Sequence, residues 1–187
     1  WTAMIFDDDE RLIQKALDGH EKAWVKLVKR YEKRIYNYSL RMTGANDEAM
    51  DLVQEVFLAV FRNLPNYRGE GVFPAWLFRI ANNRCIDFLR RRNTNPLANQ
   101  SLTDMDTLKS NRMADEDLHR EQGNREVLKL LSSLSHEQRQ VVELKLFQNM
   151  TFDEIEGFTG LPANTAKTRF YAALQKLRSL MEVSYAV

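Results

Sequence analysis

The sequence predicts an all-α fold: two small helical domains joined by a flexible acidic linker, the second domain carrying a helix-turn-helix. Three observations lead there. Apolar residues recur at steps of three and four, and no segment alternates as a strand would. Between the two periodic regions lies NTNPLANQSLTDMDTLKSNRMADEDLHREQG, rich in Asn, Ser and Asp and without sustained periodicity. Near the end, two helical patterns meet at TGLP, the spacing of helix, tight turn and helix.

Along the chain, a short helix is expected from Glu10 to Leu17, closed by Gly19. Trp24, Leu27, Val28, Tyr31, Ile35, Tyr38 and Met42 then form one face of a long helix ending before Gly44. Asn46 reads as the cap of the next helix, whose first turn is acidic (Asp47, Glu48) and whose stop is Pro65. Its apolar arc is Ala49, Leu52, Val53, Val56, Phe57, Val60 and Leu64. The loop NYRGEGV leads to a fourth helix with Pro74 in its first turn. These four make residues 1–92 the first domain. Residues 93–123 are the linker, and residues 124–187 the second domain. There, two capping boxes, Ser135 with Gln138 and Thr151 with Glu154, mark helix starts. The last helix runs from about Ala163 to Met181, with Ala166, Phe170, Ala173, Leu174, Leu177, Leu180 and Met181 as its buried stripe.

The net charge of +1 hides a pattern. Residues 73–92 carry five basic and one acidic side chain, residues 93–126 four and seven, and all four charges between Leu161 and Met181 are positive. A single cysteine, Cys85, excludes an internal disulfide framework, and no Cys/His cluster has zinc-ligand spacing, so no metal is expected. There is no GxGxxG and no GxxxxGK[ST]; neither a cofactor, a small-molecule substrate nor an enzyme activity is expected. Asp51 and Glu55 stand four apart on one helix face, but no nucleophile, metal set or phosphate loop accompanies them. No apolar run is long enough for membrane insertion, and WTAMIFDDDERL lacks the order of a secretory signal, so the expected location is cytoplasmic.

The segment FPAWLFRIANNRCIDFLRRR, residues 73–92, is the densest in information. On a helical projection Leu77, Ile80, Ala81, Cys85 and Phe88 gather on a core side, while Trp76, Arg79, Asn83 and Arg90 gather opposite, with Arg91 and Arg92 extending the charge beyond the helix end. An amphipathic helix with solvated arginines explains each feature singly. A stacking ring interleaved with guanidinium groups is also the composition of a single-strand platform. In the last helix, Asn164, Thr168, Tyr171 and Gln175 point away from the core, flanked by Thr165, Lys167 and Arg169. That is where a helix-turn-helix presents base-reading and phosphate-holding groups to a major groove.

Three segments in a fixed order, DEAMDLVQEVFLAVFRNL, FPAWLFRIANNRCIDFLRRR and MTFDEIEGFTGLPANTAKTRFYAALQKLR, resemble the polymerase-docking, promoter-melting and upstream-element-reading segments of a bacterial sigma factor. The short two-domain build is similar to the extracytoplasmic-function (ECF) group of the sigma-70 family. The resemblance implies that Asp51, Gln54, Glu55 and Leu58, with Met50 and Phe61 beside them, dock on a coiled coil of the largest subunit of core RNA polymerase. It implies that Tyr67, Arg68, Trp76, Arg79, Asn83 and Arg90 face the downstream promoter element and help open it, the loop Asn66 to Val72 holding a flipped base with Gly69 and Gly71 allowing close approach. It implies that Asn164, Thr165, Lys167, Thr168, Arg169 and Tyr171 read the upstream element of promoter DNA. An anti-sigma factor is an implied partner, and the linker would thread near the polymerase active centre. Asn164, Ala166 and Ala172 depart from the family's usual pattern. Two other functions fit parts of the sequence: a helix-turn-helix regulator whose first bundle senses a signal or dimerises, and a helical adaptor that binds only protein.

Overall fold

In the computed structural model of the chain, residues 2–69, 72–94 and 125–185 are described, and every regular element among them is helical. In order these are α1 (Thr2–Leu17), α2 (Glu21–Thr43), α3 (Asn46–Asn63), a 3-10 turn (Leu64–Asn66), α4 (Phe73–Thr94), α5 (125–132), α6 (His136–Val142) running into a π turn (Glu143–Phe147), α7 (Phe152–Thr159) and α8 (Ala163–Tyr185). They fall into two compact units, Trp1–Ser39 with Asn46–Pro96 and Leu40–Ala45 with Leu97–Val187. The sequence-predicted linker begins inside α4 at Asn93 and Thr94; its remainder lies outside the described residues.

The first unit is built by the apolar faces expected of α2, α3 and α4. Leu27, Ile35, Tyr38, Leu52, Val56, Val60, Leu77, Ala81 and Cys85 are buried. Each large aliphatic side chain among them contributes roughly 1.5–3 kcal/mol by leaving water. Polar groups in this core are matched: the Tyr38 hydroxyl donates to Asn82 Oδ1 at 3.0 Å, and the Tyr38 ring meets Phe78 edge-on at 4.7 Å. Pro65 follows the end of α3 and shapes the 3-10 turn, as a residue without an amide hydrogen should.

Four local expectations are corrected. Helix α1 starts at Thr2 rather than Glu10, because Asp8 and Asp9 sit inside the helix and find partners on α2 instead of marking its start. Asn46 is the first residue of α3 rather than its cap, and its side chain accepts from the Tyr36 hydroxyl at 3.0 Å. The buried stripe of α4 is rotated toward Phe78, Asn82 and Leu89, which leaves Ile80 half-exposed; Phe88 is half-exposed as well. Arg91 and Arg92 do not lie beyond the helix end: α4 continues to Thr94, and the two guanidinium groups turn to α3, pairing with Glu55 at 3.3 Å and Glu48 at 2.8 Å.

In the second unit Leu131, Leu134, Val141, Leu144, Ile155, Ala166, Phe170 and Ala173 are buried. Arg139 is buried as well, and its guanidinium donates to the carbonyls of Leu131 at 2.8 Å and Leu134 at 3.3 Å, satisfying a charge that would otherwise be costly inside. The burial of α8 stops early: Leu180 and Met181, expected in its apolar stripe, are exposed. A helix of 23 residues is about 35 Å long, roughly three times the length of α7 packed against it, so its far end outruns its neighbour.

Both capping boxes form. In the second, Thr151 Oγ1 accepts from the Glu154 amide at 3.2 Å while the Glu154 carboxylate accepts from the Thr151 amide at 2.7 Å. That backbone hydrogen bond, with a second from the Thr151 hydroxyl, holds the Glu154 carboxyl below its ordinary value of 4.5. A depressed carboxyl stabilises the fold above its unfolded value, and the contribution is lost as pH falls through the lower, folded one. Between pH 5 and pH 3 the melting temperature of the protein should therefore fall further than that of Glu154→Gln, whose amide still accepts but does not titrate. Parallel melting curves would refute this.

Candidate functional site

The turn between α3 and α4 and the outer face of α4 form one surface. The 3-10 turn ends with the Tyr67 amide donating to the Leu64 carbonyl at 3.1 Å, which turns Tyr67 back over the start of α4. Its ring lies 5.2 Å from Trp76 and 5.6 Å from Phe73, and Phe73 lies 5.7 Å from Trp76. Phe73 is buried and forms the floor; Tyr67 and Trp76 are half-exposed and form the rim. Gly69 has φ +70°, the left-handed region that glycine enters without strain, and open space where a side chain would be. Gly71 lies outside the described residues.

Arg79, Asn83 and Arg90 are exposed on the face of α4 that carries Trp76, as the projection required, and Arg68 is exposed on the loop. The structure thus brings Tyr67, Trp76, Arg79 and Asn83 to one aromatic and cationic surface. Burial, then the charges of Glu10 and Asp9, push the Tyr67 hydroxyl above its ordinary value of 10, so it remains a neutral donor at any physiological pH. Sequence reasoning missed Phe73 as the floor and Tyr31, whose ring lies 5.7 Å from Phe73. Tyr31 was visible only as one more position on the apolar face of α2.

On α3, Asp51 and Gln54 are exposed and Leu58 is 55% exposed. Met50, Gln54, Leu58 and Phe61 follow steps of four, four and three, which puts them on one stripe. Phe61 is exposed yet leans edge-on against Trp24 at 5.2 Å, widening the apolar patch onto α2. Glu55, on the same outer side, is partly exposed and pairs with Arg91 at 3.3 Å.

In the second unit Gly160, at φ +76°, ends α7 and sends its amide to the Glu156 carbonyl at 2.8 Å. The Glu156 carboxylate accepts from the Ala163 amide at 3.0 Å, so a residue of α7 caps the start of α8 and fixes the turn. Phe152 and Phe170 lock the two helices together at 5.7 Å. Asn164, Lys167, Thr168 and Tyr171 are exposed along one face of α8, and Thr165 is half-buried. The Thr168 hydroxyl donates to the Asn164 carbonyl at 2.9 Å, leaving its oxygen lone pairs to accept. Arg169 turns aside to pair with Glu137 at 3.0 Å. Among the described residues no group of His, Cys, Asp or Glu is placed to hold a metal ion, and no helix is long and apolar enough to cross a membrane.

Comparison with known proteins agrees with this layout. A family model described as Sigma-70 region 2 matches residues 27–94, and one described as Sigma-70, region 4 matches residues 124–177. The chain is 30% identical over 161 residues to the ECF RNA polymerase sigma factor SigE of Mycolicibacterium smegmatis, a match covering 85% of this chain and 62% of the relative. It is 26% identical over 187 residues to the ECF RNA polymerase sigma-E factor of Haemophilus influenzae, covering 93% of this chain and 95% of the relative. Among solved structures, CnrH in complex with the cytosolic domain of CnrY superposes with a TM-score of 0.65 at 23% identity, covering 95% of this chain and 99% of that one. The sigma factor RpoE in complex with the anti-sigma factor NepR, from Bartonella quintana, gives 0.63 at 19% identity, covering 87% and 98%. These two show the shared fold. Helical content, the order of the three surfaces and both family matches lead to one conclusion: the chain belongs to the ECF group of the sigma-70 family, the alternative sigma factors.

Proposed function

We propose that this chain binds core RNA polymerase through the outer stripe of α3 and directs it to a subset of promoters. Residues 124–187 read an upstream element through Asn164, Thr165, Lys167, Thr168, Arg169 and Tyr171. Residues 1–92 recognise and open a downstream element through Tyr67, Arg68, Trp76, Arg79, Asn83 and Arg90. Residues 93–123 tether the two. The observation that supports this most is the aromatic box of Tyr67, Phe73 and Trp76 beside exposed Arg79 and Asn83. A box of this kind can stack an unpaired base, which offsets the few kcal/mol that flipping costs without any nucleotide hydrolysis.

The chain contributes recognition, and RNA synthesis remains the polymerase's chemistry. It acts in the cytoplasm, and an anti-sigma factor is a further partner; the solved relatives were captured in complexes with such proteins or with a cytosolic partner domain. The test is run-off transcription. Core polymerase with the purified chain, on a pool of genomic fragments, should give discrete start sites that core polymerase alone does not. Identical transcript patterns with and without the chain would sink the proposal.

A further inference from the structure

Asp9 carries a buried charge that the proposed function leaves without a task. It is 1% exposed, on a helix already anchored by the buried side chains of Leu12 and Ile13. Both its oxygens are engaged: Oδ1 accepts from Arg30 Nη1 at 2.5 Å, and Oδ2 accepts from the Tyr31 hydroxyl. A second bond from Arg30 goes to Asp8, so the guanidinium is clamped between two carboxylates of α1. Arg30 is 30% exposed, and an ion pair with one buried and one partly exposed member contributes little net stability, because its attraction is offset by desolvation and screening. Its distinct effect is geometric: it fixes where its hydrogen-bond partners point.

The partner here is Tyr31. Its hydroxyl end is pinned by Asp9, and its ring meets Phe73 at 5.7 Å with an interplanar angle of 61°. Phe73 is the floor on which Tyr67 and Trp76 rest. A continuous series of buried contacts therefore runs from a carboxylate of α1, through a ring of α2, to the rim of the platform on α4. Burial, then the hydrogen bond to Asp9, raises the Tyr31 hydroxyl above its ordinary value, so it stays a donor throughout the physiological range.

We propose that Asp9 is a positioning residue for base capture, holding Tyr31 so that Phe73, Tyr67 and Trp76 keep the spacing that admits one unpaired base. This rests on the reading of that platform as the single-strand site. Tyr31→Phe removes only the hydroxyl and keeps the ring in the core. Asp9→Asn keeps an acceptor for Tyr31 while weakening the Arg30 clamp.

The test uses holoenzyme assembled from core polymerase and the full chain. The probe is a single-stranded DNA selected from a random pool by the wild-type holoenzyme, then rebuilt with one abasic site at each position in turn. Wild type should show one position where loss of the base weakens binding about tenfold or more, the scale of one stacked base. In Tyr31→Phe that step should shrink to about twofold, with unchanged polymerase association and unchanged affinity for the abasic strand; Asp9→Asn should show an intermediate step. A purely structural role would lower melting temperature and leave the step intact. Retention of the full step in Tyr31→Phe overturns the positioning role. If wild type and Trp76→Ala give the same flat scan, the platform reading itself is overturned, and this inference falls with it.

Discussion

Replacing Trp76 with alanine should shift the holoenzyme from the open toward the closed promoter complex. Trp76 is half-exposed, with one face against Tyr67 and Phe73 and the rest open to a ligand. Its loss removes a stacking surface that contributes about 1–3 kcal/mol to holding one base, equivalent to roughly 5- to 150-fold in the population of open complex. Because the ring belongs to a platform outside the main packing of α4, most of that free energy is lost from strand capture rather than from folding. Permanganate reactivity of unpaired thymines should fall by that factor, while the amount of chain bound to core polymerase stays constant. Trp76→Phe, which restores a smaller ring, should recover part of it. Arg79→Ala should give a smaller defect that shrinks as salt rises, since a phosphate contact is screened and a stacked ring is not. Normal opening by Trp76→Ala on linear template would remove α4 from the melting step.

The parts of the molecule legible in the sequence are those whose determinants are local. The capping box of Thr151 and Glu154, Gly160 at the turn and the onset of α8 at Ala163 lie within 13 residues of one another, and each acts through its own backbone. The outward face of α4 was equally legible, because 100° per residue is enough to put Trp76 and Asn83 opposite Cys85.

What escaped notice depends on partners far along the chain. Asp9 looks like a solvated acidic helix start until Arg30 and Tyr31 arrive from 21 and 22 residues away. Asn82 looks like a surface amide until Tyr38 donates to it across 44 residues. Arg91 reads as charge extending beyond the helix end, yet it turns back to Glu55 on α3. Periodicity assigns a residue to a face but does not say which neighbour covers that face. Charged positions near the edge of a face are therefore where sequence reasoning fails first.

The docking surface gives the second large effect. Leu58 is 55% exposed on α3, between Gln54 and Phe61 on the same stripe. A change there leaves the fold nearly untouched: substitutions at exposed positions away from special features shift stability by about 0.5 kcal/mol or less. If the stripe is the docking face, Leu58 becomes a desolvated anchor at its centre, and introducing a carboxylate buries a charge without a partner. Leu58→Asp should then weaken association with core polymerase by at least about 2 kcal/mol, roughly 30-fold in Kd, measured by competition against labelled wild-type chain. Glu55→Gln should cost much less, because that carboxylate already faces Arg91 in an exposed pair worth about 0.2–1 kcal/mol. The two substitutions thus separate an apolar anchor from a peripheral charge on the same helix. Equal losses for both would mean that docking is electrostatic and centred elsewhere on α3. No loss for Leu58→Asp would mean that the exposed leucine faces solvent in the holoenzyme, and the docking helix would have to be sought on another surface.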